Sequence, residues 1–299
     1  MRTKALKISC ELSPRCPPQE IPEQARAIEA AGFHRIWVRD MITSSWEMWS
    51  AATACALATK RVRIGLDVTN VYTRNIAVTA HAAASLDNLS RGRLDLGFGR
   101  GIPHQLGLMG IKTVEGSLER GIRLVRQLLG GKSVKLTAHQ GKGGLRLAVR
   151  PSQKQMAIYL AATEEKDFKL AGRVADGALT ISASRHFLAQ ALAWLKESGK
   201  RRKATIPVAT WCPFSQSETA LDEYLERMVK FLPQRFFHRL GLAPGRKNSA
   251  ELKEVLVVNG LADLAKKVKE LSRWGISEMI LEYLTIKDLQ GTAALIKES

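Results

Sequence analysis

The sequence lacks the features that would place it in a membrane, in a disulfide-stabilised secreted scaffold or around a metal ion. No run approaches the roughly 18 consecutive apolar residues that a membrane span requires, and the first residues contain no long apolar signal segment. The four cysteines show no C-x-x-C spacing, and the six histidines form no H-E-x-x-H motif. We therefore expect a cytoplasmic protein with reduced cysteines, no membrane association and no metal site.

Acidic residues are scarce as well. The chain has 28 Asp and Glu against 46 Lys and Arg, a formal net charge of +18, and residues 111–160 hold ten of these basic residues against two glutamates. Such a surface attracts polyanions, which include nucleic acids and small molecules that carry phosphate or polyglutamate groups. The alternative is a solvated basic face without a ligand. Nucleic acid is not excluded, although no arginine-rich tail or aromatic-interleaved basic motif is present.

The pattern along the chain is typical of repeated βα units. Short β-rich runs alternate with longer stretches of 3.6-residue periodicity over 299 residues, a length that α/β barrels reach as one domain. We predict a single (β/α)8 TIM-barrel domain over residues 1–299. The eight predicted strands cover residues 5–11, 35–39, 62–69, 94–98, 157–162, 178–182, 205–213 and 278–282. The helices before strand five are predicted at residues 21–31, 47–58, 76–89 and 118–129.

Two segments depart from this pattern. Residues 133–137 and 145–149 alternate by twos around a glycine-rich centre, which predicts a β-hairpin inserted before strand five. Residues 231–257 do not fit a single βα unit and predict a helical insertion after strand seven.

Catalytic groups in such a barrel come from the carboxyl ends of the strands and the loops that follow them. This rule selects Glu11, Asp40 and the segments 67–70, 99–104, 163–166 and 181–184.

Three motifs in these segments occur in a recognisable order. They are GLDVTNVYTR at residues 65–74, DNLSRGR at residues 87–93 and GFGRG at residues 97–101. As an ordered set they resemble the luciferase-like superfamily, most closely the branch that uses the deazaflavin coenzyme F420 and includes the methylenetetrahydromethanopterin reductases. Taken alone, the glycines of the third motif indicate only a close backbone approach at the barrel mouth.

The resemblance implies a flavin-like ring across the barrel mouth, with a small organic molecule as substrate. It implies a non-prolyl cis peptide at Asp67-Val68, where the family usually has glycine or another small residue in place of Asp67. The implied catalytic residues are Glu11, as a proton donor, and Asp40; the alternative for each is a carboxylate paired with Arg39 or Arg100. It also implies a homodimer formed through the early barrel helices. The implied cofactor-binding residues are Asp40, Asp67, Val68, Thr69, Asn70, Gly99, Thr163, Glu164, Glu165, Lys166, Ile181 and Ser182.

The chain departs from the family at three positions. Met41 stands where many F420 enzymes have histidine, Ile102 stands where they often have an acid, and residues 163–166 (TEEK) replace a glycine-rich phosphate turn. Three hypotheses therefore stay open. The first is an F420-dependent oxidoreductase that transfers hydride, with methylenetetrahydromethanopterin as one substrate option; the second is an FMN-dependent monooxygenase; the third is a non-catalytic barrel that binds a cofactor or nucleic acid.

Overall fold

Parallel strand pairing runs around a complete circle. The computed structural model describes residues 5–13, 16–136, 143–181, 184–198, 207–231, 240, 249–283, 288–289, 291–293 and 296. The last strand pairs with the first and with β8, which closes the barrel, while β4 and β9 are two-residue additions beside β5 and β8. The strands are β1 (Lys7–Glu11), β2 (Arg35–Arg39), β3 (Arg63–Asp67), β4 (Thr69–Asn70), β5 (Leu94–Gly99), β6 (Ile158–Ala161), β7 (Gly177–Ile181), β8 (Val208–Ser215), β9 (Val258–Asn259) and β10 (Glu278–Tyr283).

Helices connect the strands and cover the outside of the barrel. They are α1 (Ile21–Ala31), α2 (Met48–Ala58), α3 (Ile76–Leu89), α4 (Pro103–Leu108), α5 (Ser117–Leu129), α6 (Glu165–Val174), α7 (Arg185–Ser198), α8 (Glu218–Phe231), α9 (Ser249–Leu256) and α10 (Gly260–Arg273). The predicted eight-stranded TIM barrel is confirmed. No helix among the residues just given is long and apolar enough to cross a membrane.

Local sequence explains where several helices begin and end. The Glu47 side chain accepts a hydrogen bond from Ser50 N at 2.8 Å at the start of α2, and Asn75 accepts one from Ala77 N at 2.9 Å at the start of α3. Both contacts satisfy backbone N–H groups that a helix start leaves without partners. At its other end, α1 stops at Gly32, whose φ of 91° is left-handed and suits glycine.

Large and small residues alternate across the barrel interior. Trp37 is fully buried and lies beside Gly65 in the β2–β3 register, while Tyr159 lies beside Gly177 in the β6–β7 register. A Cβ atom at Gly65 would lie 2.3 Å from the Trp37 ring, and one at Gly177 would lie 2.3 Å from the Tyr159 ring. The two rings meet edge to face with centroids 5.5 Å apart. These side chains fill the middle of the barrel, so open space remains towards the carboxyl ends of the strands.

Several predicted boundaries need correction. The predicted strand 62–69 is interrupted at Val68, which separates β3 from β4. The chain between predicted strand four and the predicted helix at residues 118–129, for which no element was predicted, contains the short helix α4. Predicted strand seven lies at Val208–Ser215, with residues 205 and 206 outside the described part.

The two predicted insertions lie partly outside the described residues. Val134 and Leu145 pair through two backbone hydrogen bonds of 2.9 and 2.8 Å, but the described residues around them form no longer ladder. The chain after Leu145 instead returns to α3, where Asn88 Nδ2 donates to the Arg150 carbonyl at 2.7 Å. After β8, the structure describes α9 and β9, whereas most of residues 232–248 lie outside it.

Candidate active site

A cavity of about 510 Å³ opens at the carboxyl ends of the strands. Its volume lies within the range of small-molecule sites. It is lined by the following predicted site residues: Glu11, Asp40, Asp67, Val68, Asn70, Gly99, Thr163 and Ile181. Other residues, which were not predicted as catalytic or cofactor-binding, also line the cavity; they include Arg39, Met41, Ile102, Trp211, Tyr224 and Ile280.

Five predicted binding residues do not line this cavity or cannot be placed. Thr69 is buried and does not line the cavity, and Ser182 lies outside the described residues. Glu165 pairs with Lys169 at 2.7 Å and Glu164 with Lys166 at 3.2 Å at the start of α6. These ion pairs direct the charged groups to one another, so a role in binding for residues 164–166 stays a prediction.

The floor of the cavity is built from neighbouring strand ends. In the strand register, Glu11 lies beside Glu282 on β10, and Arg39 lies beside Asp67 on β3. Arg39 Nε and Nη2 donate to the two carboxylate oxygens of Glu11 at 2.5 and 2.7 Å, and Nη2 also pairs with Glu282 Oε1 at 3.2 Å. The barrel topology thus brings one guanidinium into contact with carboxylates from two other strands.

Two aromatic side chains complete this floor. Trp211 Nε1 donates to Glu11 Oε2, and Tyr224 OH donates to Glu282 Oε2 at 3.1 Å. Glu11 therefore accepts hydrogen bonds from three N–H groups, two of Arg39 and one of Trp211. The sequence allowed this pairing with Arg39 as the alternative to a proton-donor role for Glu11.

Two other carboxyl groups at the floor, those of Asp67 and Glu282, have raised pKa values. Burial raises the pKa of Asp67 to about 7; the charge of Glu11 adds to this shift and that of Arg39 opposes it. Burial also raises the pKa of Glu282 to about 7, against the opposing charge of Arg39 and with the support of Glu11. Burial thus favours the neutral form of both Asp67 and Glu282 at this floor.

The wall next to this floor is a bulge between β3 and β4. The Asp67-Val68 peptide is cis, as the resemblance implied. Val68 projects towards two glycines of β5: a Cβ atom would lie 2.7 Å from Val68 Cγ1 at Gly97 and 2.7 Å from Val68 Cγ2 at Gly99. The spacing of these glycines by two places both on the inner face of β5. They are therefore required for the close approach of the bulge.

The rim of the cavity is more exposed and largely apolar. Met41, Ile42, Ile102 and Met109 line it from the loops after β2 and β5. Burial raises the pKa of Asp40 at this rim, with support from Glu47 and opposition from Arg74. At the positions of Met41 and Ile102, the site thus offers a thioether and an alkyl group, and neither can carry a proton.

Sequence reasoning missed Tyr224 and Glu282 as parts of this site. Glu282 ends the predicted eighth strand, so the rule of strand ends could have found it. Tyr224 lies on α8, and its contact with Glu282 depends on how that helix packs over the mouth. Helical periodicity alone carries no signal for that contact.

The fold and the cavity together define a TIM barrel with an open site at its mouth. A search with protein-family descriptions matches residues 6–273 to the luciferase-like monooxygenases. The chain belongs to this family.

Individual relatives add detail. The chain is 31% identical over 251 residues to the 5,10-methylenetetrahydromethanopterin reductase of Methanolobus tindarius, an alignment that covers 79% of this chain and 76% of the relative. The coenzyme F420-dependent tetrahydromethanopterin reductase of Methanopyrus kandleri superposes with a TM-score of 0.83 at 20% identity, with 99% of each chain covered. A type II Baeyer-Villiger monooxygenase of Pseudomonas putida in complex with FMN superposes with a TM-score of 0.78 at 15% identity, with 99% of this chain and 98% of that chain covered.

Proposed function

We propose that this protein is an F420-dependent oxidoreductase that transfers hydride between the deazaflavin and a small organic substrate. The observation that carries the proposal is the mouth cavity, with the Val68 bulge held against Gly97 and Gly99, in a chain whose relatives include methylenetetrahydromethanopterin reductases. A substrate of the methylenetetrahydromethanopterin type is the finer form of this proposal.

The described residues fit the ring of such a cofactor. Bulky side chains at residues 97 and 99 are excluded by Val68, so the wall is a smooth surface of backbone and Val68 against which a flat ring can lie. Ile181, Ala161 and Leu179 extend this apolar lining. When bound, the deazaflavin supplies a hydride donor or acceptor at its C5 atom.

Polar groups at the mouth would hold the rest of the ligand. Thr163 and Arg100 line the cavity, and Arg100 Nε donates to Asp167 at the start of α6. We propose that Arg100 attracts the anionic part of the cofactor. The start of a helix is often a phosphate site, but α6 carries the acidic residues Glu165 and Asp167 in its first turn, and these disfavour a phosphate there. Asp40 is proposed to contact the cofactor from the opposite side of the rim.

Glu11 is proposed to act mainly through Arg39. Its bidentate contact fixes the guanidinium, and its contact with Trp211 fixes the indole at the cavity floor. Both groups line the cavity, so their positions shape the surface that meets the substrate.

The reaction is tested by mixing the purified protein with reduced F420 and methylenetetrahydromethanopterin under anaerobic conditions, and by following the absorbance of oxidised F420. We expect enzyme-dependent formation of oxidised F420 that requires the pterin. A panel of other C=N and C=O compounds tests the broader proposal. If reduced F420 is not consumed with any of them, whereas reduced FMN with oxygen supports substrate oxidation, the FMN-dependent monooxygenase replaces this proposal.

We further propose a homodimer that forms through α2 and α3. The sequence of α2 contains no charged residue, although 25% of the chain is charged, and its Leu57 is 65% exposed. On the neighbouring α3, Val78 is 51% exposed. Because α2 and α3 contact each other, exposed apolar residues on both helices fit an association surface.

Light scattering coupled to gel filtration tests this interface. We expect a dimer for the wild type and a monomer for Leu57→Glu combined with Val78→Glu. A matched double change at exposed Leu108 and Val149, outside α2 and α3, should leave the mass unchanged. A monomeric wild type would refute the dimer.

A further inference from the structure

Asp67 occupies an unusual place in the cavity floor. It ends β3, beside Arg39 in the strand register, and lines the cavity immediately before the Val68 bulge. Its backbone carbonyl accepts from Asp40 N at 3.3 Å. Within the described part of the chain, the Asp67 carboxyl group itself makes no hydrogen bond or ion pair.

The neighbouring carboxyls are paired, in contrast. Arg39 places its Nε and Nη2 donors on Glu11 and Nη2 also on Glu282, and Tyr224 donates to Glu282. Asp67 is thus left facing the cavity beside a guanidinium that is already engaged. A carboxyl in this position is available to a ligand.

The charged groups around Asp67 come from three neighbouring elements. Glu11 on β1 and both Glu278 and Glu282 on β10 disfavour its charge, while Arg39 on β2 favours it. Three carboxyls, Glu11, Glu282 and Asp67, therefore share one guanidinium at this level of the barrel. Burial and this imbalance explain why the pKa of Asp67 is raised to about 7.

We propose that Asp67 is the catalytic acid of this site and donates a proton to the substrate heteroatom as hydride reaches the adjacent carbon. The inference rests on the proposed function, because the reduced deazaflavin supplies the hydride. It assigns proton donation to Asp67, because Met41 and Ile102 at the rim cannot carry a proton.

The step balances for a C=N or C=O substrate. The substrate carbon gains a C–H bond with the two electrons of the hydride, the C=N or C=O π bond breaks and leaves its electron pair on the heteroatom, and the reduced deazaflavin is oxidised. The heteroatom gains a proton as the O–H bond of Asp67 breaks, so Asp67 becomes a carboxylate. A proton from solvent then restores the acid through the open mouth.

The test compares wild type, Asp67→Asn and Asp67→Glu in the oxidation of reduced F420 by methylenetetrahydromethanopterin, with kcat and KM measured from about pH 5 to pH 9. Glu197→Gln provides a matched control, because this carboxyl is exposed on α7, away from the cavity. F420 fluorescence titration of every variant checks that the fold and the cofactor site persist.

We expect Asp67→Asn to lower kcat about 10²- to 10⁴-fold, the usual contribution of a general acid, with a change in KM of no more than a few-fold. The wild-type kcat should fall above about pH 7, Asp67→Asn should lack this fall, and Asp67→Glu should restore part of both. Glu197→Gln should match the wild type throughout.

Three results would overturn the assignment. The first is an Asp67→Asn variant that binds F420 and keeps kcat within about threefold of the wild type, since a general acid contributes far more. The second is an alkaline fall in kcat that persists in that variant. The third is a wild type that binds no F420, which removes the proposed function itself and with it this step.

Discussion

Replacement of Arg39 by methionine tests the charge arrangement of the cavity floor. The change removes donors at 2.5 and 2.7 Å from Glu11 and a contact at 3.2 Å to Glu282, while it keeps an apolar side chain of similar length. Glu11 and Glu282 are 2% and 6% exposed, so both would remain buried without a cation. Breaking a buried pair in this way costs about 3–5 kcal/mol.

The cost should depend on pH. Arg39 opposes the upward pKa shifts of Asp67 and Glu282, so its loss raises both pKa values further. A carboxyl whose folded-state pKa is raised reduces stability above that pKa, and the penalty disappears as the pH falls towards its unfolded-state value. The deficit of Arg39→Met should therefore be large at about pH 8 and clearly smaller at about pH 5.

Urea unfolding at these two pH values measures the effect, with Arg74→Met as the matched control. Arg74 pairs with the half-exposed Glu47 at 3.2 Å, a contact of a kind worth about 0–1 kcal/mol. An Arg39→Met deficit below about 1 kcal/mol, or one equal at both pH values, would refute the reasoning.

Two further predictions concern the wall and the floor. Gly97→Ala should lower the free energy of unfolding by about 1–3 kcal/mol or more, because its Cβ would lie 2.0 Å from the Leu66 carbonyl oxygen, whereas Gly107→Ala, with nothing within 4 Å, should be neutral or stabilising in urea unfolding. Equal effects would contradict this account of the bulge. Asp67→Asn should raise the urea midpoint above about pH 7 but not at about pH 4, because it removes a buried carboxyl whose ionisation opposes folding; a lower midpoint at both would contradict it.

The sequence predicted the barrel because its signals are local. Alternating short strands and amphipathic helices identify βα units, and the strands at Arg35–Arg39 and Glu278–Tyr283 lie within one residue of their predicted ends. Helix α4 was missed because six residues with a central glycine show too little periodicity. The break at Val68 was missed as a strand boundary because periodicity continues through it.

The sequence predicted which strand-end residues surround the site, but not how their side chains pair. The rule that selects them placed Glu11, Asp40 and Asp67 around one cavity. The pairing of Arg39 with Glu11 and Glu282 depends on closure of the barrel between β10 and β1, which joins residues 271 positions apart. Which carboxyl is left without a pair depends on these side-chain geometries, and a sequence pattern does not contain them.

Cofactor binding tests the central claim most directly. Purified protein is titrated with F420 and, separately, with FMN, with ligand fluorescence followed at low and moderate salt; Asp40→Ala provides a variant of a cavity-lining residue. The account predicts saturable F420 binding that is tighter than FMN binding, weakens as salt rises because the protein is basic, and changes in Asp40→Ala. Preference for FMN, or binding of neither ligand, would contradict it.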